Sequence, residues 1–155
     1  MANALSTAGI KVKYAVEATA GTRPTSGYTE IHGVKVLPAF GSDVNTLQST
    51  PLEAVKNHTY IQGLSDSGGA FALTVNDYET FRNDWEAVIT AYKGLTAEKK
   101  MWIEIAIPNH DSFYFPAEPV ELGFGGAEVD SILENTANLI PVGDYLWGTA
   151  STSST

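Results

Sequence analysis

Lys11-Val12-Lys13-Tyr14-Ala15-Val16-Glu17 alternates between apolar and polar residues near the start of the chain. With Ile10 in front, Ile10, Val12, Tyr14 and Val16 fall on one face and Lys11, Lys13, Ala15 and Glu17 on the other. A period of two sustained this long is the pattern of a half-buried strand. The Gly/Thr/Pro-rich segment 19–27, with Gly21-Thr22-Arg23-Pro24 at its centre, reads as the loop that follows. A second strand is predicted over residues 28–37, with Gly33 as a bulge inside it and Pro38 as its end.

The same period returns downstream. Phe71, Leu73 and Val75 alternate after a Gly/Ser turn at 63–69. Met101, Ile103, Ile105 and Ile107 oppose Trp102, Glu104 and Ala106, and Pro108-Asn109-His110-Asp111 is a turn. The return strand over 112–124 carries Phe113, Phe115, Val120, Leu122 and Phe124, and Pro116 and Pro119 within it imply an edge or a bend. Residues 129–141 form a last strand or strand pair, and Tyr145-Leu146-Trp147 is a small apolar patch near the end.

One segment has helical spacing. Tyr78, Phe81, Trp85, Val88, Ile89 and Tyr92 form a single apolar stripe. Asn76 and Glu79 are placed to make a capping box, and Lys93 followed by Gly94 ends the helix. Such a stripe requires an apolar sheet to lie on. The expected architecture is therefore mainly β, with about seven strands joined by hairpin-length turns into an antiparallel sandwich or barrel, flanked by one amphipathic helix.

Composition narrows the function. A length of 155 residues suits one domain with a real core. The absence of cysteine excludes disulfides and thiolate catalysis and removes the usual zinc ligand. Acidic residues outnumber Lys and Arg by 18 to 9, a balance that repels polyphosphate and disfavours a protein that grips DNA. The first residues lack a cationic start and a long apolar run, so no signal peptide or membrane span is expected. The expectation is a soluble chain made in the cytoplasm.

No constellation of catalytic residues stands out. Ser65-Asp66-Ser67-Gly68-Gly69 echoes a protease nucleophile segment, but no histidine sits in a matching context, and a flexible turn explains it better. His32, His58 and His110 are far apart in sequence and form no local ligand pair. Gly123-Phe124-Gly125-Gly126 lacks the lysine and the helix of a phosphate-binding loop. The reading is no enzyme, no cofactor and no metal. Residues 39–61 are the remaining anomaly. Stretches 46–52 and 56–61 have the length of short strands but neither alternates well, so the segment is read either as two short strands or as a long loop. It carries Leu47, Leu52, Val55, Tyr60 and Ile61, too much apolar surface for a free loop, so a neighbour is expected to order it.

Taken together, Lys13-Tyr14, Glu17, Gly21-Thr22, Thr29-Glu30-Ile31-His32-Gly33-Val34-Lys35, Thr46-Leu47, Thr50-Pro51-Leu52 and Thr59-Tyr60-Ile61-Gln62-Gly63-Leu64, followed by Asp66, Gly68-Gly69 and the helix, resemble the major tail tube proteins of long-tailed, non-contractile phages. The resemblance spans nearly the whole chain as one tail tube domain. It implies a fold shared with type VI secretion tubes, six copies per ring and rings stacked into a tube. DNA would pass along the lumen without specific binding. It also implies an N-terminal arm at 1–8, an inter-ring loop at 39–61 and a mobile tail at 148–155. Leu47, Leu52, Val55, Tyr60 and Ile61 would then be inter-subunit contacts, and Glu104 and Glu118 would face the lumen. Implied partners are the chain itself and the tape measure, terminator and distal tail proteins, in a virion assembled in the bacterial cytoplasm, with no membrane. The alternatives are a tail terminator or other tube-like component, and a monomeric carbohydrate-binding β-sandwich with Trp102 or Trp147 as its aromatic platform.

Overall fold

The computed structural model describes residues 6–41, 43–53, 56–66, 69–96 and 98–151, with backbone alone at 43–45 and 63–66. Its elements in chain order are β1 (Lys11–Val16), β2 (Thr29–Ile31), β3 (Val34–Val36), β4 (Asp43–Gln48), β5 (Tyr60–Asp66), β6 (Phe71–Asn76), α1 (Glu79–Lys93), β7 (Met101–Ala106), β8 (Ser112–Pro119), β9 (Glu134–Pro141) and β10 (Leu146–Gly148). The chain is mainly β with one flanking helix, as its periodicities require.

Eight strands make one curled antiparallel sheet in the order β2-β1-β7-β8-β9-β6-β3, with β10 paired to β8. The first and last strands of that order are neighbours in sequence. Residues 28–37 are therefore not one bulged strand. β2 pairs with β1 at one margin, and β3 pairs with β6 at the other. Only His32 and Gly33 link them, so the sheet curls until its margins nearly meet. Gly33 takes φ +87° at this link, and an added Cβ would lie 2.6 Å from the Tyr78 ring. Glycine is needed there for both reasons.

β8 explains the first of its two prolines, Pro116. It pairs with β10 over Ser112–Tyr114 and with β9 over Ala117–Pro119. Between the two registers, at Pro116, residues 142–145 bulge out and Val142 N–H donates to the Pro116 carbonyl at 3.0 Å. A residue with no N–H sits where the ladder is interrupted anyway. β9 begins at Glu134, so residues 129–133 are irregular instead of strand.

The core lies on one face of the sheet. Phe71, Leu73, Val75, Met101, Ile103, Phe113, Phe115 and Leu139 meet Phe81, Trp85 and Val88 of α1 there. Trp85 Nε1 donates to the Val120 carbonyl at 3.0 Å, so its one polar atom is satisfied on burial. Burying an aromatic or aliphatic side chain of this size contributes about 1.5–3 kcal/mol. The capping box does not form. Asn76 is still in β6, and its N–H donates to the Gly33 carbonyl. The helix starts instead from Tyr78, with no side-chain cap. Asp77 takes up the slack by binding Arg82 Nε at 2.5 Å and Nη2 at 2.9 Å, a two-pronged pair across the first turn. Gly94 follows the helix as expected, its N–H donating to the Thr90 carbonyl.

The opposite sheet face carries a second, smaller cluster of Ala15, Tyr28 and Tyr114, with Trp102 and Leu146 against it. Two carboxylates are buried beside it, Glu17 and Glu104.

Candidate functional site

Residues 39–61 are the start of a two-stranded hairpin. β4 and β5 pair only with each other, antiparallel, with Leu47 opposite Ile61 and Gln48 opposite Tyr60. β5 continues through the stretch expected to be a Gly/Ser turn, as far as Asp66. Weak alternation hid these strands, because a strand with neither face on a core has no reason to alternate.

The hairpin is anchored at its root and ordered at its tip. Phe40, just before β4, stacks on Phe115 at 4.9 Å between ring centroids and meets Phe71, Phe113 and Tyr145 edge-on at 5.5–5.7 Å. At the tip, Ser49 N–H donates to the Thr59 carbonyl at 2.8 Å, and Thr59 N–H donates to the Thr50 hydroxyl at 2.9 Å. Gln48 Nε2 donates to His58 Nδ1 at 2.7 Å. Local polar contacts thus hold the shape, while the apolar side chains point outward.

Leu47 and Ile61 are 55% and 54% exposed and form one cross-strand pair on one face. Tyr60, 59% exposed, lies on the other face beside His58. Leu52 at the tip is fully exposed. Val55 lies outside the described residues. A hairpin this isolated is marginal in water, and its apolar exposure on both faces is what an unfilled interface leaves.

Glu104, expected from the resemblance to face the lumen, is covered within the single chain. It has no exposed surface. β7 does turn Glu104 and Trp102 away from the core, but the C-terminal segment crosses that face. Ser151 donates to the Glu104 carboxylate through its N–H at 3.0 Å and its hydroxyl at 2.6 Å, and Tyr114 Oη donates at 2.9 Å. Burial pushes the Glu104 pKa up, but these donors outweigh it and hold the carboxyl below its usual range. Residues 148–151, read as the start of a mobile tail, are in this way tied to the sheet, and 152–155 lie outside the described residues. Arg23 caps the cluster, its guanidinium 4.1 Å from the Tyr114 ring centroid. Burial and the Glu104 charge push the Tyr114 hydroxyl up to about 12.

Glu17 follows the same logic. It accepts from Trp102 Nε1 and from Gly21 N–H, both at 2.8 Å. Burial raises its pKa, and these hydrogen bonds bring it below the ordinary value. Trp102 is thereby tied to Glu17 and lies half-buried against the smaller cluster. Glu118 is exposed on β8 opposite Ile140.

The three histidines stay apart. His32 Nδ1 meets Asp84 at 2.8 Å beside the helix, His58 is on the hairpin, and His110 stacks edge-on against Trp147 in the β7–β8 turn. Ser67 and Gly68 of the protease-like segment lie outside the described residues. Among the described residues no group of three His, Asp or Glu side chains could hold a metal ion, and no helix is long and apolar enough to cross a membrane.

The sequence reading passed over a second unpartnered apolar region. Phe124, Val129 and Ile132 are exposed on the irregular connection between β8 and β9. The available signal was scattered apolar residues without alternation, Phe124, Val129 and Ile132, among glycines and acidic residues ahead of a strand.

The sequence matches no family profile and no curated protein. Solved structures do match in fold. A chain of the anti-feeding prophage (AFP) baseplate, a 6-fold symmetrised cryo-EM structure, aligns with a TM-score of 0.64 at 12% identity, over 98% of this chain and 100% of its own. A chain of the native gene transfer agent virion and one of the empty gene transfer agent tail, the latter with C6 symmetry, each align at 0.61 and 11% identity, over 94% of this chain and 100% of theirs. The curled sheet, the helix and the projecting hairpin thus make up a fold shared with chains of tail and baseplate particles.

Proposed function

We propose that this chain is a structural subunit of a phage-type tail, whose copies close into hexameric rings and stack into the tail tube through which DNA leaves the particle. The observation that carries the reading is the hairpin, folded and anchored yet exposing Leu47, Leu52, Tyr60 and Ile61. Exposed apolar surface gathered on one element in this way marks a site of interaction with a partner. Identical copies are the economical partner, because one heterologous contact repeated around an axis closes a ring and another extends a stack. Two of the matched chains come from structures described with six-fold symmetry, which supports six copies per ring. A net charge of −9 suits a conduit that must not retain DNA, with Glu118 as a lumen candidate. In this role the end partners are the tape measure, terminator and distal tail proteins of the same virion.

A baseplate ring is the second reading, favoured by the likeness to a baseplate chain. The two differ in whether rings stack indefinitely. Negative-stain microscopy and sedimentation of the purified chain over a concentration series test both. Rings or tubes that disappear in a Leu47→Asp/Ile61→Asp variant, with unchanged circular dichroism, are expected. A wild-type assembly that is indifferent to this double substitution would refute the hairpin as the contact.

A further inference from the structure

β2 ends at Ile31, and the next residue, His32, opens the short link between the two sheet margins. The helix fixes its side chain. Asp84 Oδ2 accepts from the His32 N–H at 2.9 Å and from its ring Nδ1 at 2.8 Å. An ionised carboxylate can only accept, so the proton of the neutral ring sits on Nδ1 and Nε2 carries a lone pair. Glu30, two residues back, places its Oε2 3.5 Å from that Nε2. Two acceptors therefore face each other, and a positive charge is needed between them.

The spacing says which charge fits. A proton on Nε2 would make a hydrogen bond, with nitrogen and oxygen about 2.7–3.2 Å apart. A tetrahedral ion about 2.0–2.1 Å from each ligand holds the two ligands about 3.4 Å apart. The observed 3.5 Å matches two ligands of one ion. Imidazole beside carboxylate suits a transition metal such as Zn²⁺, whereas Mg²⁺ and Ca²⁺ prefer oxygen alone. Asp84 holds the far N–H of the ring, which is how a carboxylate orients an imidazole that binds metal.

We infer that Glu30 Oε2 and His32 Nε2 hold a divalent transition metal ion of the zinc class, with Asp84 as the residue that positions the imidazole. Two protein ligands reach the ion, in keeping with the lack of any three-residue group among the described residues. Water fills the other positions, so the site is open and its affinity modest. Both ligand side chains are partly exposed and reachable from solvent. Lys13 lies opposite Glu30 on β1 and competes for its carboxylate. An ion here fastens β2 and its link to α1 through Asp84, where the margins of the curled sheet come together. Ligands and positioning carboxylate all belong to one chain, so this inference stands apart from the assembly reading.

Equilibrium dialysis of the full chain against zinc chloride reads the site directly, with about 5 mM Mg²⁺ present to occupy bare carboxylates. The expected result is one Zn²⁺ per chain with a Kd below about 1 mM. His32→Asn keeps a donor near the Nδ1 position and removes Nε2. It should weaken binding about tenfold or more, and so should Glu30→Gln. Asp84→Asn should weaken it about 10–100-fold. Glu30→His puts a better zinc ligand at the same place and should tighten binding. A Glu30 that merely pairs with a protonated His32 predicts no such gain. Circular dichroism checks that each variant keeps the fold. Zinc bound no tighter than about 1 mM, zinc retained in full by His32→Asn, zinc lost on changing His58 or His110 instead, or weaker binding in Glu30→His would each overturn the inference.

Discussion

Replacing Glu104 with glutamine keeps the shape of the side chain and removes its charge, which isolates what that charge does for the C-terminal segment. The carboxylate accepts from Ser151 N–H, Ser151 Oγ and Tyr114 Oη at 2.6–3.0 Å. Tyr114 has an alternative acceptor in the Thr149 carbonyl at 2.6 Å, so its hydroxyl can turn there at small cost. The two Ser151 donors have no such substitute. Changing a hydrogen bond from charge-assisted to neutral costs about 1 kcal/mol each. The relief of no longer burying a charge offsets part of any loss at Tyr114, which leaves Glu104→Gln destabilised by about 2 kcal/mol at neutral pH. That is a sizeable fraction of the stability of a small domain. The pH dependence has a definite sign. The folded pKa of Glu104 lies below its unfolded value, so its contribution is full above the ordinary carboxylate range and is lost as pH falls through the folded value. Glutamine does not titrate. The gap between wild type and variant should therefore close on acidification, while Glu17 and Asp77 titrate alike in both proteins and cancel. Urea unfolding followed by tryptophan fluorescence, at dilute protein to suppress association, measures the gap at neutral pH and near pH 3. A gap of the same size at both, or none at neutral pH, would refute the reasoning.

Two further outcomes are expected. Gly33→Ala should lower stability by about 2–3 kcal/mol in thermal unfolding, since it combines a left-handed backbone with an overlap onto the Tyr78 ring. Adding Tyr78→Ala should recover only the steric part, and full recovery would mean the backbone conformation is not strained. Asp77→Asn should cost about 1–2 kcal/mol at neutral pH by weakening the pair with Arg82. Arg82 holds the Asp77 carboxyl below its usual range, so this loss too should shrink as pH falls, and a loss that grew on acidification would contradict the pairing.

Much of the body was legible in the chain. β1, β6 and β7 alternate because one face of each meets the core, and the stripe from Phe81 to Tyr92 is helical for the same reason. Other features were not legible locally. The apparent single strand at 28–37 divides between the two sheet margins, because Gly33 permits a link whose purpose is visible only once the sheet has curled. The Asn76–Glu79 capping box is outcompeted by the pairing of Asn76 with Glu134. Glu104 looked solvent-facing from its place on β7, and only the return of Ser151 across that face buries it. The hairpin looked like a loop, since neither of its faces is covered within one chain.

Residue order alone set most element types of the body, the faces that β1, β6 and β7 turn to the core, the lack of cysteine chemistry and the acidic charge. Those properties depend on residues a few positions apart and on sums over the chain. Tertiary structure alone decided which margins meet, which carboxylates are buried and where apolar surface is left without a partner. Those outcomes depend on segments distant in sequence arriving at the same place, and no local pattern encodes the meeting.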